Sequence, residues 1–417
     1  MNLRVKKSDV GGRVMAIPSK SDLHRLLISA ALHGSKTTIK NVSELCEDIR
    51  ATIACLESLG CKINYAEGVL SLEACEKINE KAELNCRESG STLRFMLPAA
   101  MALCNEANFT GCGRLPDRPL GELLEVMRAH SVSFSSDRLP LSAKGRLSSG
   151  EYRISGNISS QYISGLMFAL SVVGGEIHLT TELQSADYVN MTIASLRRFG
   201  VDISEVEQGY IVKKAAGKSG ALQLCADGDW SNAAFFLCLG AIGQRPISVK
   251  GLDICSRQGD SAIVEILRKF GARIAIEADE VTVFPSSLKA ISLDISQIPD
   301  LLPILAVTAA FAQGESEFYN AARLRLKESD RLLAVETLIC SLSGKARAFS
   351  DSIRICGGGL AGGTADSFAD HRIVMSAAVA GCVCEDSVLI KGAEAVNKSY
   401  VGFFDSLASI GGSIHRE

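Results

Sequence analysis

Aromatic residues are scarce in this chain. Phe, Trp and Tyr make up 6% of its 417 residues, and Trp230 is the one tryptophan. That scarcity leaves no evident platform on which nucleic-acid bases would stack. Charge of one sign is missing too. The net charge of −3 gives no overall footprint for a polyanion, so no nucleic-acid partner is expected, although a local basic cluster in one cleft stays open. Long apolar runs are also lacking. "LLPILAVTAAFA" and "VMSAAVAGCVC" reach about a dozen residues, short of the ~20 that a spanning helix needs. The opening "MNLRVKKSDV" lacks the apolar core of a signal peptide. A soluble, cytoplasmic protein with no membrane partner is the expectation.

Cysteine is plentiful, at 14 residues, but no two form a C-x-x-C pair and no Cys/His set has zinc-finger spacing. No metal site is expected. Cys55 in "ATIACLESLG" and Cys238 in "FFLCLGA" read as buried thiols in a reducing compartment. The length points to two domains.

A repeat runs through the chain. "LESLGCKI", "LRRFGVDI", "LRKFGARI" and "LASIGGSI" each read as a helix end, a glycine and a strand start. Gly60, Gly200, Gly271 and Gly411 suit a left-handed C-cap there. "MRAHSVSF" and "LICSLSGKA" are weaker copies, and the six positions recur about every 70 residues. Six such units fill the chain. Each also carries an upstream helix that is apolar nearly all round, such as "SDLHRLLISAALHG" or "DWSNAAFFLCLGAIG", and is therefore expected to be buried. Stretches such as "GEIHLTTE" and "RPISVKG" alternate like half-exposed strands. Three units per lobe give two lobes, with a break near "CADGDW".

Several of the apolar helices begin with a polar or charged motif, at the end where unpaired N–H groups and the helix dipole favour anions. "PSKSDLHR" places Lys20, Ser21 and Arg25 there, and "ESGSTLR" places Gly90, Ser91 and Arg94. "SSQ" places Ser159, Ser160 and Gln161; "IPD" places Asp300; "DHR" places Asp370, His371 and Arg372. Arg118, Lys327, Arg331 and Lys398 add further cations. Any one motif reads equally well as a cap, but five in register across a repeat point to a receptor for phosphates and carboxylates. Asp300 and Glu328 are then the candidates for proton transfer.

The ordered set "PSKSDLHR", "ESGSTLR", "DRPLGEL", "SSQ", "SADY", "IPD", "KESDR", "DHR" and "NK" resembles the 5-enolpyruvylshikimate-3-phosphate synthase family from Ser19 to Lys398. The resemblance implies a two-lobed inside-out α/β barrel of six βαβαββ units, three per lobe, with buried helices behind outward sheets. Residues 1–18 would supply the first strand of the C-terminal lobe. Residues 19–227 would form the N-terminal lobe on the shikimate 3-phosphate side, and 228–417 the C-terminal lobe on the phosphoenolpyruvate side, around an interlobe cleft. The implied reaction moves the enolpyruvyl group of phosphoenolpyruvate to the 5-hydroxyl of shikimate 3-phosphate and releases phosphate. It proceeds by addition and elimination without metal or organic cofactor, in a chain expected to be a monomer.

The same resemblance implies the roles. Lys20, Ser21, Arg25, Ser159, Ser160, Gln161, Ser185, Tyr188, Asp300 and Lys327 would hold shikimate 3-phosphate. Lys20, Gly90, Arg118, Gln161, Arg331, Arg372 and Lys398 would hold phosphoenolpyruvate. Asp300 would take the hydroxyl proton, Glu328 would protonate the methylene carbon and later help remove a proton, and Lys20 would assist at the leaving phosphate or in proton shuttling.

Two positions depart from the family pattern. Arg323 stands where some members have an Asn that touches the sugar-like substrate, and Phe95 where some have Pro. Other residues carry blander readings. His371 is a structural histidine and "CGGGLAGG" a loop between strands, because it lacks the Gly-Lys-Ser/Thr ending of a phosphate loop. Cys112 lies in a loop that carries a reactive cysteine in the related UDP-N-acetylglucosamine enolpyruvyl transferases. Its spacing to Arg118 is one residue too long, so it is taken as incidental. That sugar-nucleotide transferase, or a non-catalytic anion-binding relative, is the alternative. In "LRLKESDRL", Lys327 and Arg331 are expected one helical turn apart, with Asp330 orienting a neighbouring arginine.

Overall fold

Gly60, Gly200, Gly271 and Gly411 take φ of 107°, 80°, 97° and 101°, each just before a strand. At the two weaker copies the left-handed residue is a serine: Ser131 at 73° and Ser343 at 66°. The turn is therefore the same in all six places. Glycine adopts it without the steric cost that a Cβ brings, and the two serines are held there by the surrounding fold.

The computed structural model describes residues 1–74 and 78–417. They fall into two compact units: Pro18–Ala226, and Met1–Ile17 together with Asp227–Glu417. The described strands form six four-stranded sheets, three in each unit. All six share one pattern: a parallel pair, then two antiparallel neighbours. In one of them Leu222–Cys225 runs parallel to Lys36–Lys40, which pairs antiparallel with Val69–Glu73, and that strand pairs in turn with Lys62–Ala66. The class is α/β.

The first segment differs from expectation. It supplies two strands, not one. Asn2–Lys6 pairs with Val388–Lys391 and Ser413–Arg416, while Gly12–Met15 pairs with Ile247–Lys250 in another sheet. The break falls at Gly11–Gly12, where Gly12 has φ 129° and a Cβ on Gly11 would meet Arg245. Two adjacent glycines let the chain leave one sheet and enter the next.

The apolar helices form where the sequence marks them: Lys20–His33, Gly90–Leu103, Ser160–Val173, Trp230–Ile242, Leu302–Ala310 and His371–Val383. All nine residues of Leu302–Ala310 are buried. Their side chains make up much of two separate hydrophobic cores, one in each unit. Replacing a single Leu or Ile there by Ala would cost about 2–5 kcal/mol. A second, amphipathic set of helices, such as Ile263–Phe270, lies with one charged face exposed.

"LRLKESDRL" does not form one helix. Ala322–Leu326 is a 3-10 turn, Lys327 is extended at φ −85° and ψ −160°, and the α-helix starts only at Arg331. The expected helical turn from Lys327 to Arg331 is absent because Asp330 caps Arg331–Ser341 from outside, accepting from the Leu333 N–H at 3.2 Å. The glycine-rich stretch joins strands Ser352–Cys356 and Gly363–Asp366. A Cβ on Gly357 would lie 1.7 Å from the Ala312 carbonyl oxygen, so glycine serves close backbone packing there. The described cysteines form no disulfide, and Cys46, Cys55, Cys86, Cys104, Cys238, Cys382 and Cys384 are buried.

Candidate functional site

In the Pro18–Ala226 unit, three helix starts carry the candidate residues. Ser19 caps the first, accepting from the Asp22 N–H at 3.3 Å, which puts Lys20 and Ser21 in the first turn. Lys20 Nζ donates to Asp48 Oδ2 at 2.8 Å. Asp48, in the first turn of Glu47–Ser58, was not singled out from sequence. "NVSELCEDIR" reads as an ordinary solvated helix start, and only the fold brings it to Lys20.

Arg25 lies one turn further and is buried. Its Nε donates to Thr192 Oγ1 at 2.8 Å, Nη1 to the Ser21 carbonyl at 2.7 Å and Nη2 to the Tyr188 carbonyl at 2.8 Å. Burial lowers its pKa to about 10. The guanidinium lies 5.1 Å from the centre of the Phe95 ring. Phe95, where some relatives have Pro, thus floors this arginine and packs edge-on against Phe168 at 5.5 Å. Beneath, His24 Nδ1 meets Thr52 Oγ1 at 2.8 Å, and Thr52 meets Thr92 at 2.8 Å. Burial, with Lys20 and Arg25 nearby, holds His24 neutral, far below the usual histidine range.

The second and third helix starts are tied together. Gln161 donates Nε2 to Ser91 Oγ at 2.9 Å and accepts from Arg94 Nη1 at 2.8 Å. A Cβ on Gly90 would lie 2.5 Å from Arg118 Nη1 and 2.7 Å from Arg94 Nη1. Glycine there lets two guanidiniums crowd a helix N-terminus, an arrangement that favours an anion. Ser159 precedes the third helix, and Ser160 begins it, buried. Ser185 is buried at φ 56°, a left-handed conformation rare for a residue with a Cβ, and Tyr188 follows in the next turn of Ala186–Arg198.

In the other unit the candidates meet on Arg331, whose side chain is 1% exposed. Its Nη1 donates to Asp300 Oδ1 at 2.6 Å, Nη2 to Glu328 Oε2 at 2.6 Å and Nε to Asp370 Oδ2 at 2.8 Å. Burial opposes its charge, but Asp370, Glu328 and Asp300 together raise its pKa well above the usual arginine value. Asp300 shows the converse. Burial works against its ionisation, yet Lys327, Arg372 and Arg331 hold its pKa well below the carboxylate range. Lys327 Nζ lies 3.2 Å from Asp300 Oδ1, and Arg372 Nη1 donates to the Asp300 carbonyl at 2.9 Å. Burial lowers the Lys327 pKa, with Asp300 opposing.

Phe368 and Ala369 both take left-handed φ, 50° and 52°, just before Asp370. Two such residues in succession are costly. The strain turns the Ala369 carbonyl to Lys398 Nζ, which donates to it at 2.6 Å. Lys398 is buried at the end of Ala393–Lys398. Asp330 holds Arg325 Nη1 at 2.8 Å, so the arginine it orients lies before Lys327. Arg323 reaches back to the Ser296 carbonyl at 2.9 Å. Cys112 is exposed and His371 buried. Asp260 was also missed. It is 1% exposed and accepts from Ser231 Oγ. No local spacing in "RQGDSAIV" marks it.

Each expected ligand set draws residues from both units. Lys20, Gly90, Arg118 and Gln161 of the phosphoenolpyruvate set lie in the Pro18–Ala226 unit. Asp300 and Lys327 of the shikimate 3-phosphate set lie in the other. Among the described residues no cluster of His, Cys, Asp and Glu suits a metal ion, and no helix is long and apolar enough to cross a membrane.

Helix starts that gather cations and carboxylates recur on these repeated α/β units, and solved structures share the fold. One is an EPSP synthase from Acinetobacter baumannii, with TM-score 0.82, 22% identity and full coverage of both chains. Another is an enolpyruvyl transferase from Streptomyces tendae, with TM-score 0.80, 16% identity and coverage of 99% of this chain and 98% of that one. The fold class is that of the enolpyruvyl transferases. Within it, the chain belongs to the family EPSP synthase (3-phosphoshikimate 1-carboxyvinyltransferase), whose model matches residues 5–407. A Clostridium kluyveri protein named 3-phosphoshikimate 1-carboxyvinyltransferase is 39% identical, over 98% of this chain and 97% of its own length. One of the same name from Clostridium novyi is 38% identical, over 99% and 98%.

Proposed function

We propose that this chain transfers the enolpyruvyl group of phosphoenolpyruvate to the 5-hydroxyl of shikimate 3-phosphate and releases inorganic phosphate. The observation that carries the reading is Arg331. It gathers Asp300 and Glu328, the two expected proton-transfer groups, on one buried guanidinium, with Lys327 and Arg372 on the same Asp300.

In the addition step the 5-oxygen bonds to C2 of phosphoenolpyruvate, and its proton passes to the Asp300 carboxylate. Glu328 gives a proton to C3, which becomes a methyl group. In the elimination step the C2–O bond to phosphate breaks, C3 loses a proton to Glu328, restoring the double bond, and the proton held by Asp300 leaves with the phosphate. The cations at Arg331, Arg372, Lys398, Arg118 and Lys20 stabilise negative charge on carboxylate and phosphate throughout. Lys327, Arg372 and Arg331 hold Asp300 ionised against its burial, so its carboxylate carries no proton before the hydroxyl gives one up. Ser21, Arg25, Ser159, Ser160, Gln161, Ser185, Tyr188 and Lys327 hold shikimate 3-phosphate in this reading, and Gly90 opens room for the phosphoenolpyruvate anion.

The reading draws on residues of both units, which we assign as lobes of an inside-out α/β barrel with three repeat units each. Its test is the product. Incubation with both substrates should give a shikimate 3-phosphate adduct heavier by the enolpyruvyl group in mass spectrometry. Recovery of unmodified shikimate 3-phosphate after prolonged incubation would rule the reading out.

A further inference from the structure

Thr192 has no role in the scheme above, yet it holds a residue that does. Arg25 gives its Nε–H to Thr192 Oγ1 at 2.8 Å. Each terminal nitrogen gives one N–H to a backbone carbonyl, Nη1 to Ser21 at 2.7 Å and Nη2 to Tyr188 at 2.8 Å. A guanidinium carries five N–H groups. One is therefore left on each terminal nitrogen, the number that a two-point grip on a phosphate or carboxylate needs. The contrast with Arg331 is one of charge. Arg331 bonds Asp300, Glu328 and Asp370, whereas the oxygens that Arg25 bonds are all neutral. Asp22, on the same helix, tempers the charge of Arg25 from a distance.

The hydroxyl of Thr192 is itself fixed. Thr192 and Ser164 are both fully buried. Oγ1 has one proton, and two acceptors for it: Ser164 Oγ at 2.8 Å and the Tyr188 carbonyl, one turn back on its own helix, at 3.1 Å. Its lone pairs are left to receive Arg25. A threonine that bonds only the carbonyl one turn back is ordinary helix behaviour. Here the same oxygen joins Lys20–His33 through Arg25, Ser160–Val173 through Ser164, and Ala186–Arg198, on which it lies. The Tyr188 carbonyl also takes Arg25 Nη2, so one turn of Ala186–Arg198 holds the guanidinium at two of its nitrogens. A turn further on, Ser29 Oγ and Ser195 Oγ meet at 2.9 Å and tie the same two helices without Thr192.

We propose that Thr192 is a positioning residue that aims Arg25 at an anionic group of shikimate 3-phosphate. The Nε–H lies in the guanidinium plane, so anchoring it sets the rotation of that plane about the Cδ–Nε bond. The direction of the two remaining N–H groups follows. Without the hydroxyl, Nε–H is buried with no acceptor, and the side chain turns to find one at the expense of its aim. The inference rests on the proposed function, in which Arg25 is taken as a shikimate 3-phosphate contact.

The test exchanges the hydroxyl for a methyl group. Thr192→Val keeps the shape of the side chain and removes the acceptor; Thr192→Ser keeps the acceptor. In calorimetry, Thr192→Val should bind shikimate 3-phosphate about tenfold more weakly, and Thr192→Ser within about twofold of wild type. At saturating shikimate 3-phosphate, kcat and KM for phosphoenolpyruvate should stay within about twofold in both. Thr192→Ala, which adds no buried methyl in place of the hydroxyl, is a second variant and should behave as Thr192→Val does. Arg25→Lys has no donor at the Nε position, so adding Thr192→Val to it should weaken binding no further. A threonine that matters only for packing would show the same loss in both backgrounds. One readout needs no ligand. The Arg25 Nε–H signal in NMR, identified by its absence in Arg25→Lys, should exchange with water about tenfold faster in Thr192→Val than in wild type or Thr192→Ser. Unchanged binding or exchange in Thr192→Val, or a full loss of binding that persists in the Arg25→Lys background, would overturn this inference and leave the proposed function standing. A wild-type chain that binds no shikimate 3-phosphate would overturn both.

Discussion

Asp370 receives Arg331 Nε on Oδ2 at 2.8 Å and, on Oδ1, the backbone N–H of Arg372 at 3.0 Å. One buried carboxylate thus fixes a guanidinium from one helix and starts the helix that carries the next. Burial opposes its ionisation, but Arg331 holds its pKa below the usual carboxylate range. The strained Phe368–Ala369 pair feeds the same point. Positioning, capping and charge are concentrated in a few atoms, and the predictions below follow from that.

Arg331→Ala leaves Asp300, Glu328 and Asp370 buried or part-buried without their shared cation. Loss of one partner from a buried ionic network costs about 3–5 kcal/mol. Urea unfolding should show that loss, and Arg331→Lys should recover only part of it, since one ammonium does not reproduce three directed N–H contacts.

Glu328→Gln keeps a hydrogen-bonding side chain beside Arg331 but removes the proton donor. Equilibrium binding of phosphoenolpyruvate and shikimate 3-phosphate should stay near normal while turnover falls by ~10²-fold or more. Equal losses in binding and turnover would assign Glu328 to ligand holding.

Gly90→Ala puts a Cβ 2.5 Å from Arg118 Nη1. Both crowded groups are ends of flexible side chains, so the fold should survive and the arginines should move. KM for phosphoenolpyruvate should rise by about tenfold, the worth of one charge-assisted hydrogen bond, with a smaller change in kcat. An unchanged KM would remove Arg118 from the phosphoenolpyruvate contacts.

Acid should act on the two units in opposite directions. Burial lowers the His33 pKa to about 4, from 6.5. Its unfolded form takes up protons first, so stability present above pH 6.5 is lost as pH falls toward 4, by about 3 kcal/mol. Asp260 is raised to about 6 from 3.8. Its folded form takes up the proton first, so stability rises by about 3 kcal/mol as pH falls from 6 toward 4. Trp230, buried next to Ser231, reports on the second unit by fluorescence. Amide exchange over residues 18–226 reports on the first. His33→Gln and Asp260→Asn should each flatten one trend.

Much of this was legible in the sequence, for a physical reason. A buried helix must be apolar all round, as Trp230–Ile242 is, and a helix turning into a strand asks for a left-handed residue, as at Gly60 and Gly271. Those demands are local. The missed pieces were not. Asp48 meets Lys20 across 28 positions, and Asp260 meets Ser231 across 29. Neither spacing has a periodic signature. "LRLKESDRL" misled because its residues are good helix formers, yet Asp330 serves better as a cap than as an interior residue, and it starts the helix late.

The central claim is tested most directly by phosphate release from phosphoenolpyruvate with each of two acceptors. Shikimate 3-phosphate should give stoichiometric phosphate, and UDP-N-acetylglucosamine none. Release with UDP-N-acetylglucosamine and not with shikimate 3-phosphate would contradict the account.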